Sequence, residues 1–446
     1  MLQSWAMTDA SSLIVGMRSG RTDPRDVTAE TLDRVAASDL NAVVALRDRE
    51  TLLAEAAAPR PGRLSGLPMA VKDLSETAGI RTTYGHAAFA DNVPTVDGPT
   101  AAALRGAGAI LIGKTNAPEF GLGSHTYNAV YGTTLNPWDR SRSAGGSSGG
   151  AGAALAARLL ALADGSDMMG SLRNPSAWNN VFGMRPTHGM VPAAPAGDPI
   201  LHPLSTDGPM ARTPDDLELL LGVLAPGYRK QDARPLKVGW VGDWGGAYPM
   251  EDGVLALCET ALDGLAGPLA PPMRAPDIWH SWTTLRSFSI WQKIKPLWTD
   301  AFAAGSKPEM HWEVERGRTL TLDDVTQASA IRARWARRME SVPVDVIALP
   351  AAQCFPFDAR LDWPKSIAGR SMDTYHRWME AVIPASLIGV PAISVPVGFH
   401  GGLPMGVQLI GKRGRDSDLI HLARQMHRAQ PWTEQRPPGI LNMPFG

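Results

Sequence analysis

AGGSSGGAGAALAARLLALADGSDMMGSLRNP, residues 144–175, is the stretch on which the reading of the whole chain turns. Its opening resembles a flexible tether, since small residues leave the backbone its greatest freedom. The residues after it contradict that picture. Residues 151–163 are apolar except for Arg158. They are too few to span a bilayer, which takes about 20 apolar residues, so the run reads as a buried helix. A small-residue loop set between buried elements is a tight structural turn rather than a linker.

Outward from this stretch, helix and strand patterns alternate. Residues 9–57 read as helices, with DPRDVTAETLDRVAAS carrying apolar positions at helical spacing behind an Asp-Pro start. GLPMAVKD (66–73) is a short apolar run after a turn, a buried-strand signal that ends on Lys72. TAAALRGAGAILIGKT (100–115) reads as helix, glycine turn and strand. Strand signals recur in KVGWVG (237–242), DVIALPA (345–351), PAISVPVGF (391–399) and MGVQLIG (405–411). The alternation predicts an α/β fold spanning 1–446 as a single large domain. Its sheet is expected to be mixed, mainly parallel and twisted, with helices on both faces. Residues 270–320 differ, with Trp279, Trp282, Trp291 and Trp298 close together. They predict an amphipathic helical pair that packs its aromatics on the core, or else rings that line an apolar substrate pocket.

Composition narrows the partners. With 43 basic and 44 acidic residues the net charge is −1, so nothing favours nucleic acid or an anionic membrane, and a small neutral ligand fits better. Two cysteines, Cys258 and Cys354, exclude a disulfide scaffold, and no Cys/His cluster has zinc spacing. The first twenty residues lack the charged and apolar regions of a secretory signal, so a cytoplasmic location is expected. Enzymes of this size are often dimers, which makes a homodimer the expected assembly.

Two local motifs are misleading. GAILIGKT (108–115) fits the phosphate-binding pattern G-x-x-x-x-G-K-[ST], but its middle residues read as a strand rather than a loop. GGSSG (145–149) fits the nucleophile elbow G-x-S-x-G, yet the preceding LNPWDRSRSA is polar loop where a buried strand is required. A third pattern combines separated blocks: Lys72 in AVKD, Ser147 and Ser148 in GGSSGG, and Ser171 in GSDMMGSLRNP. Together these blocks resemble the amidase signature family. The likeness continues through GKTNAPEFGLGS…NPWD (113–139), FGMRPTHGMVP (182–192), TDGPMARTPDDLELLL (206–221), LDDVTQASAIRARWARRM (322–339) and LIGVPAISVPVGFHGGLPMGVQLIG (387–411). It covers roughly residues 25 to 430.

The chemistry agrees with the residue types. A serine hydroxyl needs a base to become a nucleophile, and a lysine serves once burial disfavours its ammonium form. Lys72, after Met69, Ala70 and Val71, has such a setting. The resemblance implies that Ser171 is the acyl-accepting nucleophile. It makes Ser147, in a cis peptide, the relay between Ser171 and Lys72, with Ser148 as a supporting hydrogen-bond partner. It also implies an oxyanion hole at the backbone of Met168, Met169, Gly170 and Ser171, and substrate contacts at Gly123 and Ser124. Met169 stands where the commoner family pattern has glycine, which alters the pocket's shape rather than its backbone donors. Asp167 and Arg173 are expected to brace this turn, Asp73 to cap local backbone, and Cys354, His125 and His188 to be structural. No cofactor or metal is needed. The implied function is hydrolysis of a carboxamide of a small, rather apolar substrate, linear or cyclic. Rival readings are the glutaminase subunit of a tRNA-dependent amidotransferase and a non-catalytic binding protein on an amidase scaffold.

Overall fold

In the computed structural model, which describes residues 8–193 and 204–439, the short apolar runs become buried strands. β1 (Val43–Val44), β2 (Pro68–Lys72) and β3 (Ile110–Thr115) form a small sheet in the order β1-β3-β2. β2 and β3 are parallel and buried along their whole length, which explains why neither alternates polar with apolar. Lys72 is the last residue of β2 and pairs in register with Thr115. The phosphate-loop pattern is thus strand, as its apolar middle predicts.

The larger sheet contains β4 (Leu162–Asp167), β5 (Phe182–Arg185), β6 (Thr206–Ala211), β7 (Val238–Trp240), β8 (Ala266–Pro268) and β9 (Val346–Pro350). A ribbon of β10 (Ser366–Ile367) and β11 (Arg370–Ser371) follows, and then β12 (Ala392–His400) and β13 (Leu403–Gly411) complete the sheet. Its eight strands run β4-β6-β5-β12-β13-β9-β7-β8. The sheet is mixed, as expected, but it is not mainly parallel. Only β7–β9 and β7–β8 pair parallel, while β4–β6, β6–β5, β5–β12, β12–β13 and β13–β9 are antiparallel. The reason lies in β6. β4 and β5 both run antiparallel to it and are therefore parallel to each other, as the helix between them requires. The later strand β6 enters the gap they leave. Helix–strand alternation reports the crossover and not the strand that fills it.

The decisive stretch divides differently from its sequence pattern. Helix Gly149–Ala156 is buried at all eight residues, but it stops there and the apolar run continues into β4. Arg158 adopts a left-handed φ of 57° at the break. After β4 the chain turns through Met168–Leu172 into helix Arg173–Asn179, again buried throughout. These two helices meet closely. A Cβ on Gly152 would stand 2.9 Å from Asn179 Nδ2 and 3.1 Å from the Pro175 carbonyl oxygen.

The tryptophan-rich region forms more than a helical pair. It comprises helix Ala275–Ile294, a 3₁₀ turn, and helices Asp300–Ala304 and Pro308–Thr319. Trp282 is fully buried in the main core, and Trp279 packs against that core. Trp291 and Trp298 flank a separate apolar cluster of Leu122, Ile290, Ile294, Phe302, Met310 and Val314. Leu122 ties this region to the loop at residues 121–124. Among the described residues no helix is long and apolar enough to cross a membrane.

Candidate active site

Lys72 leaves β2 with its amine enclosed by serines. Nζ lies 2.8 Å from Ser147 Oγ, 2.8 Å from Ser148 Oγ and 3.0 Å from Ser166 Oγ. The residue is 0% exposed. Burial lowers the amine from its usual range to about 7, while Asp207, Asp164 and Asp167 pull it upward. A neutral amine facing hydroxyls can accept a proton, which a solvated lysine cannot do near neutrality. The Gly146–Ser147 peptide is cis. The Ser148 N–H donates to the Ser171 carbonyl oxygen at 3.2 Å, so the serine-rich loop and the turn bearing Ser171 are joined through backbone. Lys72, Ser147, Ser148 and Ser171 therefore form one buried constellation. Ser166 belongs to it as well; it stands inside GSDMMGSLRNP, where the resemblance gave it no role. Its place two residues after Asp164, on the same face of β4, is the signal that points to it.

The turn from Met168 to Ser171 is braced from below. Asp167 is completely buried, which opposes its charge, but Arg173 and Arg185 outweigh that cost and hold its carboxyl down to about 2. Arg173 Nε lies 3.0 Å from Asp167 Oδ2, and its other nitrogens donate to Gln408 Oε1 at 2.7 Å, Ser386 Oγ at 2.7 Å and the Val382 carbonyl at 2.9 Å. Asp167 and Arg173 thus hold the turn by hydrogen bonds, as expected.

The four backbone donors expected on this turn are not equivalent. Gly170 N–H donates to Asp167 Oδ1 at 2.8 Å and is already engaged. The N–H groups of Met168, Met169 and Ser171 carry no hydrogen bond among the described residues. Gly170 contributes conformation instead. Its φ is +79°, and a Cβ there would stand 2.7 Å from Val382 Cγ2. Met169 is buried in the core, whereas Met168 is partly exposed and receives Arg286 Nη1 on its sulfur at 3.0 Å. Arg286 itself is fixed by Glu313 Oε1 at 2.6 Å and the Tyr375 hydroxyl at 2.9 Å. The tryptophan-rich region thereby reaches the turn, a link between residues more than a hundred positions apart that no local motif records.

The loop at residues 121–124 lies alongside. A Cβ on Gly121 would come within 3.3 Å of Ser147 Oγ. Gly123 has a φ of +84° and faces Glu309, whose Oε1 would be 3.8 Å from a Cβ there. Ser124 turns its hydroxyl inward. It is 1% exposed, its hydroxyl donates to the Gly146 carbonyl, and it accepts from Asn174 Nδ2 at 3.1 Å. Both capacities of the hydroxyl are used inside the protein, so this side chain supports the serine loop.

The remaining expectations resolve simply. Asp73 accepts from the Thr83 N–H at 3.0 Å. His125 bridges Ser143 Oγ at 2.7 Å and the Ala359 carbonyl at 3.1 Å, and burial lowers it to about 4. Cys354 is buried, its thiol raised far above the usual range by burial. Lys114, from the misleading phosphate-loop motif, turns its amine to the Ser75 carbonyl and to Thr77 Oγ1 at 2.8 Å. Among the described residues no three His, Cys, Asp or Glu side chains gather as a metal would require.

Compared with known proteins, the chain matches the Amidase family model over residues 26–239 and 282–420. It is 32% identical to the acylamidase of Rhodococcus erythropolis, with 97% of each chain covered. It is 30% identical to a glutamyl-tRNA(Gln) amidotransferase subunit of Thermosynechococcus vestitus, over 92% of this chain and 96% of that one. The crystal structure of a bacterial aryl acylamidase belonging to the amidase signature enzymes aligns with a TM-score of 0.88 at 25% identity, over 97% of this chain and 99% of that one.

Proposed function

The chain belongs to the amidase signature family, and from that premise we propose that it hydrolyses a small, rather apolar carboxamide through an acyl-Ser171 intermediate. Ser171 Oγ attacks the amide carbonyl. Its proton passes to Ser147 while the Ser147 proton passes to the neutral Lys72 amine. The oxyanion is met by the free N–H groups of Met168, Met169 and Ser171. Each preorganised donor of this kind is worth about 3 kcal/mol where one has been removed. As the C–N bond breaks, the proton returns from Lys72 through Ser147 to the leaving amine. Water then attacks the acyl-serine by the same relay in reverse, releasing the acid and restoring Ser171.

One observation carries this reading: an amine with a proton affinity near neutrality stands 2.8 Å from the Ser147 hydroxyl, beside the turn that bears Ser171. An apolar substrate is supported by Met168, which is partly exposed on the turn that bears Ser171 and which we assign to the pocket wall. The test is turnover of anilides, short aliphatic amides, peptide amides and cyclic amides by wild type, Ser171→Ala and Lys72→Ala. Loss in both variants, with retained fold, is expected. Undiminished hydrolysis by Ser171→Ala would end the scheme. The identity to the tRNA-dependent amidotransferase favours a second reading, in which the same serine takes the amide of glutamine and hands ammonia to a partner. Glutamine hydrolysis that appears only with a co-purifying protein would establish that reading instead.

A further inference from the structure

Two carboxylates beneath Lys72 have no part in the steps above. In the β4–β6 ladder Ser166 stands opposite Asp207. Directly opposed residues project to the same face of a sheet. Ser166 Oγ is 3.0 Å from Lys72 Nζ, so Asp207 lies on the face that the amine meets. Asp164, two residues before Ser166, shares that face, and both its oxygens are 3.3 Å from the Lys72 backbone nitrogen. Asp207 is held in place by Thr100, from helix Pro99–Gly106, whose hydroxyl donates to Oδ2 at 2.6 Å.

Three other charged groups face this assembly. Asp167, on β4, is neutralised by its two arginines. Lys114, on β3, faces Asp164, and Lys293, on helix Ala275–Ile294, faces Asp207. Burial raises Asp164 to about 6 and raises Asp207 too, while the facing lysines and the Thr100 hydroxyl oppose that shift; Asp207 is the carboxylate whose orientation is fixed from a separate helix.

We propose that Asp207, oriented by Thr100, is a positioning residue that stabilises the ammonium which Lys72 becomes during acylation, extending the Ser171–Ser147–Lys72 relay by one carboxylate. The inference rests on the amidase reading above. When the Ser171 oxygen bonds to the carbonyl carbon, one proton leaves Ser171 for Ser147 and one leaves Ser147 for Lys72. The positive charge then sits on Nζ, on the face of the sheet that Asp207 shares. When the C–N bond breaks, that proton goes back through Ser147 to the departing nitrogen. Asp207 takes no proton at any step. Burial alone would leave Lys72 a feeble base, because desolvation penalises its charged form. A fixed anion restores basicity without requiring the amine to be protonated before the reaction.

The experiment is the pH dependence of kcat/KM for wild type, Asp207→Asn and Thr100→Val, with circular dichroism and melting as fold controls and Lys72→Ala as the reference. Removing the anion lowers the proton affinity of Lys72. The acid limb of Asp207→Asn should therefore move to lower pH by about one unit or more, and its plateau should fall because the base is weaker. Thr100→Val should shift the limb in the same direction by less. A folded Asp207→Asn whose limb coincides with wild type, or moves to higher pH, overturns the inference. If that variant does not fold, an unmoved limb in Thr100→Val overturns it. Turnover retained by Lys72→Ala would instead overturn the mechanism beneath it, so the two failures are distinguishable.

Discussion

Around Lys72 the groups are short and come from strands and tight turns: the hydroxyls of Ser147, Ser148 and Ser166, set at 2.8 to 3.0 Å from one amine. Around Met168 they are long and come from distant segments: Arg286 and Glu313 from two helices and Tyr375 from a turn, tied to one another and to a thioether. Short side chains on rigid backbone leave few rotamers to misplace, which suits proton transfer over hydrogen-bond distances. Long side chains on a helical layer can be exchanged without moving the sheet, which suits the shaping of a pocket for one amide among many. The difference teaches that the proposed chemistry and the proposed selectivity fall in separate parts of this fold.

The comparison breaks first at Lys72. Lys72→Met should lower kcat/KM by about 10³-fold or more, since removing a member of a coupled catalytic unit forfeits most of the unit's effect. The melting temperature should fall as well, because the hydroxyls of Ser147, Ser148 and Ser166 lose the amine and the carboxylates beneath it lose a cation. Activity surviving this change would show that the short-side-chain region is not where the chemistry lies. The next largest effect belongs to the brace shared by both regions. Arg173→Ala leaves Asp167 buried with half its compensation gone and should cost about 3–5 kcal/mol in chemical denaturation. A loss below about 1 kcal/mol would mean that the turn is held elsewhere.

A third measurement addresses the helical side. Arg286→Met should change KM for bulky and small amides unequally, by about tenfold, while the acid limb of the pH profile stays where it was. A limb that moves with Arg286 would erase the division between the regions. A fourth measurement is the pH profile of the wild type. Lys72 must be neutral to act as base, and its proton affinity lies at about 7. Hence kcat/KM should fall about tenfold per unit as pH drops below that value and level off above it. A profile flat from pH 5 to 8 would remove Lys72 from the role.

Legibility in the sequence divides along the same line. Lys72, Ser147 and Ser171 stand in short blocks whose residue types state their chemistry, and the fold brings Lys72 to Ser147 and both beside the Ser171 turn. Strand positions are legible where buried strands are mostly apolar, as in β9 and β12, but strand direction is not. The insertion of β6 between β4 and β5 depends on a pairing across some forty residues that no local pattern encodes. Gly170 and Ser124 show the limit of assignment by position. Each sits in the expected block, yet Asp167 takes the N–H of one and the Gly146 carbonyl takes the hydroxyl of the other. The contact from Arg286 to Met168 is out of reach for the same reason as β6, since it joins residues 118 positions apart.

The close approach at Gly152 has a consequence for anyone who would alter this enzyme. One helix follows the serine loop, its neighbour starts just after Ser171, and at Gly152 the Asn179 side chain and the Pro175 carbonyl leave no room for a Cβ. Their separation works like a machined tolerance, in which a single methyl group wedges the halves of the relay apart by a fraction of an ångström. A library built to change the substrate should leave residues 149–156 untouched and spend its diversity on the helices between 275 and 319.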